Sequence, residues 1–123
     1  MFEVIIYTDQ NGYSELSEQL EEYASKAKHD KNARIQYNQI LFSIEKLEQY
    51  GANSHYVDTK HIQDDIWELR PGNNRILYFF YKNNTYVLLH MFRKKTQKTP
   101  RQEIKKAVRE AKDYKDRDGG NTK

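Results

Sequence analysis

Residues 75–92 read RILYFFYKNNTYVLLHMF, two apolar runs separated by a short polar connection. Runs this rich in Val, Ile, Tyr and Phe favour strands. Asn83 and Asn84 between them can take the left-handed backbone that a tight hairpin needs. The runs barely alternate, so their sheet is covered on both faces, or covered on one and shielded by aromatics on the other. A chain built around this hairpin must therefore supply the covering elements itself. Its 123 residues are enough for one domain with a modest single core.

The flanking segments supply candidates for that cover. FEVIIY (residues 2–7) is a short β-branched run stopped by TDQNG, which predicts a strand. Leu16, Leu20, Tyr23, Ala24 and Ala27 recur at helical spacing, and so do Tyr37, Ile40, Leu41, Ile44 and Leu47 beyond the polar break HDKN. Gly51 is a natural helix stop, so these segments form a helical hairpin. IWELR alternates from residue 66, with Trp67 and Leu69 on one face and Ile66, Glu68 and Arg70 on the other. PGNN then marks a turn. Thr99, Pro100 and Gln102 form a T-P-x-Q start signal with capping-box spacing. After it, Ile104, Ala107, Val108, Ala111 and Tyr114 trace the apolar stripe of a last helix. The expected fold is α+β in the order β-α-α-β-β-β-α. Its sheet is mainly antiparallel, with the N-terminal helical hairpin on one face and a C-terminal helix. The domain spans residues 1–117, and residues 118–123 form a frayed tail.

Several functional classes are excluded or disfavoured. There is no cysteine, which removes disulfides and thiolate metal sites. His29, His55, His61 and His90 lack close ligand spacing, so no metal site is expected, and His90 in its apolar strand is taken as structural. No P-loop, dinucleotide fingerprint or nucleophile elbow occurs, and no cofactor is expected. The N-terminal apolar run is too short for a signal peptide or a membrane span, which makes a soluble cytoplasmic protein without membrane contact the expectation.

Charge is unevenly distributed. The formal net charge is only +3, yet residues 93–117 hold eleven Lys and Arg against four Asp and Glu. Such segregation suits a polyanionic partner, although a solvated basic helix face would look the same. Topology sharpens the choice. If IWELR and RILYF pair across PGNN, Arg70 and Arg75 face each other beside the turn, with Glu68 on the same face as Arg70. Arg93, Lys94 and Lys95 leave the following strand close to Arg75. Two adjacent arginines repel unless an anion joins them, so this edge suits a phosphate. The plainer alternative is a surface bridge from Glu68 to either arginine, worth no more than ~1 kcal/mol. Convergence of distant cations favours nucleic-acid or phosphate binding.

IWELRPGNNRILYFFY, followed by YVLLHMFRKKTQKTPRQEIKKAVREAKDY, resembles the HigB-like branch of the RelE toxin superfamily. The resemblance covers residues 66–114 at the level of motifs. It implies the toxin of a type II toxin–antitoxin system, an endoribonuclease that cleaves mRNA on the ribosome without a metal. In that chemistry a 2′-OH attacks the adjacent phosphate. It needs a proton acceptor, cations for the phosphorane and a donor for the departing oxygen. The resemblance places Arg75 on the phosphate and gives Lys95, or its rival Lys94, transition-state stabilisation or proton donation. Arg70 steers the backbone, and Glu68 either accepts a proton or orients the arginines. Lys60, Arg93, Lys98 and Arg101 are the expected RNA-binding cations. RelE carries a catalytic tyrosine near its C-terminal helix, whereas this chain has none there before Tyr114, on the apolar stripe, so the general base is unassigned. The implied partners are mRNA, the ribosome and a cognate antitoxin. The antitoxin would be a helix-turn-helix autorepressor, so operator DNA is reached only through it. Same-fold gyrase inhibition and non-catalytic RNA binding are the alternatives.

Overall fold

The computed structural model describes residues 1–121, and the apolar hairpin forms the middle of its sheet. In chain order the elements are β1 (Glu3–Ile6), α1 (Glu15–Lys26), α2 (Lys31–Tyr50), β2 (Thr59–Gln63), β3 (Ile66–Leu69), β4 (Asn74–Tyr81), β5 (Thr85–Arg93) and α3 (Arg101–Asn121). The strands lie in the order β1-β5-β4-β3-β2. Asn83 and Asn84 both take positive φ, 61° and 57°, at the β4–β5 turn.

The α+β class holds, with three helices and one five-stranded sheet, but the expected strand pattern needs two corrections. The sheet is mixed, because β1 runs parallel to β5 while the other pairs are antiparallel. A strand that leaves through a helical crossover is free to return in parallel, which a tight hairpin does not permit. The order is also β-α-α-β-β-β-β-α. The additional strand, β2, has the sequence TKHIQ and turns into β3 through Asp64, at φ 51°. A polar edge strand of this kind lacks the apolar signal used to recognise strands, and its lysine suits an unpaired edge.

Both faces of the sheet are covered. Leu16 of α1 and Ile40 and Leu47 of α2 pack on Leu69, Ile76, Tyr78, Leu88 and Met91. Ala107 and Ala111 of α3 pack on Ile66, Leu77, Phe79, Val87 and Leu89. Val108, expected on the buried stripe, is exposed instead. Ser14 and Asp30 cap α1 and α2 by accepting backbone N–H bonds. Gly51 ends α2 at φ 81°, where an added Cβ would lie 2.6 Å from the Phe2 ring. α3 continues through Asn121, so residues 118–121 of the expected tail are helical, and residues 122 and 123 lie outside the described residues.

One irregularity positions a buried polar side chain. Leu77 pairs with His90 while Tyr78 pairs with Leu88, which leaves Leu89 as an extra residue in β5. This β-bulge turns both Leu89 and His90 toward α3.

Candidate phosphate-binding site

Strand register brings the predicted residues onto one face. Lys60 is paired with Glu68, and Glu68 with Leu77, so all three share the face that α3 covers. Arg75 lies two residues before Leu77 and Arg70 two residues after Glu68, on the same side by alternation. The side chains meet as that register requires. Glu68 Oε1 is 3.8 Å from Arg70 Nε and 3.9 Å from Arg75 Nε. Arg75 Nη1 donates to the carbonyls of Gly72 and Asn74, each at 2.8 Å. These bonds fix its guanidinium against the β3–β4 turn.

The surface bridge that sequence allowed is instead an interior cluster. Glu68 is 3% exposed and Arg75 8%. The cause is the start of α3, which folds over this end of the sheet. Thr99 Oγ1 donates to Glu68 Oε2 at 2.6 Å. Its hydroxyl therefore reaches into the cluster, not to a capping box with Gln102, and the expected box gives way to this tertiary bond. Burial and the nearby Arg70 charge pull the Arg75 guanidinium below its usual pKa, with Glu68 and Asp58 opposing them. Arg70 Nε is buried without a hydrogen-bond partner. Arg70, Arg75, Lys94 and Lys95 outnumber Glu68 and Asp58 at this end of the sheet, an excess of positive charge that suits an oxyanion. Glu68 Oε2 accepts from Thr99, and Oε1 lies between the two guanidinium groups.

The remaining cations separate into two sets. Lys94 follows β5 with its backbone N–H bonded to Asn73 O at 2.8 Å, so it sits beside the β3–β4 turn. Lys95 is exposed next to it. Lys98 and Arg101, together with Lys105, line a shallow groove that Thr99 and Gln63 also line. This groove opens at the N-terminus of α3, where the helix dipole adds positive potential. Arg93 does not join them. It pairs with Asn74 in the sheet and donates to Gln36 of α2, on the opposite face. Further along α3, Lys106, Lys112, Lys115 and Arg117 are matched by Glu15, Asp116, Asp65 and Asp113. Four cations of the helix are thus paired, whereas those of the loop are left open.

A second polar cluster went unrecognised in the sequence. His90 is 1% exposed, with Nδ1 2.6 Å from Glu110 Oε1 and Nε2 2.9 Å from Glu103 Oε1. A neutral imidazole has one donor, so either the ring is cationic or one carboxyl carries a proton. Both nitrogens are occupied, and the ring ties β5 to the first turns of α3. The spacing Glu103–Glu110, two helical turns on one face, was the available signal. Tyr114 packs edge-on against Phe79 and Tyr81, with ring centroids 6.1 and 5.4 Å away, at the far end of β4 from Arg75.

The sequence pattern of the phage-derived, Gp49-like proteins matches residues 27–112. The chain belongs to the Gp49-like family. This is a toxin-like family related to the RelE/HigB type II toxin fold, and it is associated with toxin–antitoxin systems. The Gp49-like match takes in β2 through β5, the basic loop and the first half of α3, hence every residue of the Arg70–Glu68–Arg75 cluster. No curated protein matches the chain. None of the described helices is long and apolar enough to cross a membrane.

Proposed function

We propose that the protein is the toxin of a type II toxin–antitoxin pair and acts as a metal-independent, ribosome-dependent mRNA endonuclease of the HigB-like branch. The observation that carries this reading is the Arg70–Glu68–Arg75 cluster, closed by Thr99 and bordered by Lys94 and Lys95. Arg75 holds the scissile phosphate, and Arg70 holds the adjoining backbone. As the 2′-OH attacks, giving up its proton to water, charge accumulates on the non-bridging oxygens, and preorganised cations stabilise it at no reorganisation cost while the bond to the 5′-oxygen breaks. Lys95, exposed at the rim, stabilises that charge or protonates the departing 5′-oxygen. Glu68 holds the two guanidinium groups near each other and does not itself take the proton. Lys60, Lys98 and Arg101 track the RNA backbone on either side. The partner that restrains the toxin is an antitoxin covering this basic edge or blocking entry to the ribosome.

In vitro translation with primer extension is the deciding experiment. Cuts positioned by codon in translated mRNA support the reading, and gyrase inhibition without cuts replaces it. Arg75→Ala and Lys95→Ala should each relieve growth arrest while circular dichroism stays unchanged. Full toxicity of both variants would remove the proposed site.

A further inference from the structure

On the α2 side of Arg70 a cleft of about 190 Å³ opens between α2 and the β3–β4 turn. Phe42, Lys46, Tyr56, Asp58 and Arg70 are among its lining residues. Phe42 and Tyr56 are 58% and 53% exposed, so neither contributes to a core. Tyr56 is braced by Tyr50 and His55, with ring centroids 4.8 and 4.3 Å away. Lys46 Nζ stands 4.5 Å from the centre of the Phe42 ring. Arg70 belongs both to this cleft and to the phosphate cluster, and its buried Nε has no partner.

Exposed aromatic rings contiguous with a cationic track are what single-stranded nucleic acid requires. Cations hold the backbone, and flat side chains stack on unpaired bases. We propose that this cleft is a nucleobase subsite, in which Phe42 and Tyr56 receive a base of the RNA strand whose phosphate lies at Arg70 and Arg75. The proposal rests on the RNA reading above and adds to it a place for a base, on the opposite side of Arg70 from the basic loop. The cleft is the size of one flat ring system and too small for the side of a helix. Lys46 is placed to meet the phosphate that follows the stacked base. Asp58 accepts hydrogen bonds but cannot donate them, so a base would meet it through a donor, either an exocyclic amino group or a ring N–H.

The test uses the intact protein and fluorescently labelled heptacytidylate RNA, followed by anisotropy. A series of the same oligonucleotide carries one abasic residue at each position in turn. Wild-type protein should show one position at which losing the base weakens binding about tenfold. In Phe42→Ala/Tyr56→Ala the parent oligonucleotide should bind about tenfold more weakly, and the penalty at that position should vanish. An equal penalty in the variant and the wild type overturns the subsite. Binding that needs Arg75 but ignores every abasic substitution also overturns it, while leaving the RNA reading intact. Absence of any RNA binding by the free protein overturns the subsite, while the ribosome-dependent reading is decided separately by primer extension. A variant that binds RNA normally but no longer binds its antitoxin assigns the cleft to a protein partner and overturns the proposal.

Discussion

At the scale of single residues, Glu68 is the one on which most depends. It is a buried carboxylate held by a hydroxyl on one oxygen and two guanidinium groups near the other. Glu68→Gln keeps the shape and removes the charge, leaving Arg70 and Arg75 to repel. The expected loss is about 1–3 kcal/mol, below that of a fully buried pair because Arg70 is partly exposed. The midpoint of urea denaturation reads this directly. Added phosphate should recover more stability in the variant than in the wild type, since an anion would replace the missing carboxylate. Thr99→Val should lose about 1 kcal/mol by the same measurement. Strand alternation was enough to place Glu68 with Arg70 and Arg75, because register needs only the neighbouring residues. Its burial was not legible, because that depends on a helix start distant in sequence. Thr99 matched a local capping pattern, yet its partner lies 31 residues away, where no local rule reaches.

Elements show the same division. The paired apolar strands and amphipathic helices were legible because their periodicity records which face each one buries. β2 was not, since TKHIQ is a short polar strand that exposes most of its side chains. The attachment of α3 depends on His90, whose two carboxylate partners would otherwise lie unpaired over the sheet. His90→Leu should therefore destabilise by about 2–4 kcal/mol. It should also raise hydrogen exchange selectively in the first three turns of α3. Adding Glu103→Gln and Glu110→Gln to that variant should return much of the stability, because the uncompensated charges are then gone. If the triple variant is no more stable than His90→Leu, the charges are not the cause.

Across the whole molecule, unpaired cations gather at the loop, whereas Lys106, Lys112, Lys115 and Arg117 of α3 are paired. Binding of single-stranded RNA should fall with salt at a logarithmic slope of roughly −0.7 per phosphate contact, or about −3.5 for five contacts. Arg75→Ala should reduce that slope by about one contact. Stability also depends on pH through Tyr7, which joins β1's end to α3 by donating to Asp113 Oδ2 at 2.7 Å. Burial first, then the bond to Asp113, push the Tyr7 phenol from its ordinary 10 up to about 12. A raised pKa means that this contribution is complete below pH 10 and is lost as pH climbs through about 12. Tyr7→Phe should lose about 1 kcal/mol at neutral pH and flatten the alkaline decline, as denaturation midpoints across pH would show. Arg117 and Tyr7 hold Asp113 below its usual pKa, so its contribution is present above the ordinary carboxylate range and fades as pH falls through the lowered value.

The parallel pairing of β1 with β5 also sets a schedule for biosynthesis. Glu3 must wait for Thr85, 82 residues later, before its strand has a neighbour. At roughly 5–20 residues per second that is a delay of roughly 4–16 s. Thr99 and α3 emerge later still, and without them Glu68 and Arg75 are uncovered. A nascent chain therefore leaves its own ribosome's tunnel with the arginine pair unassembled for most of translation. The cluster can close only once the start of α3 has left the tunnel.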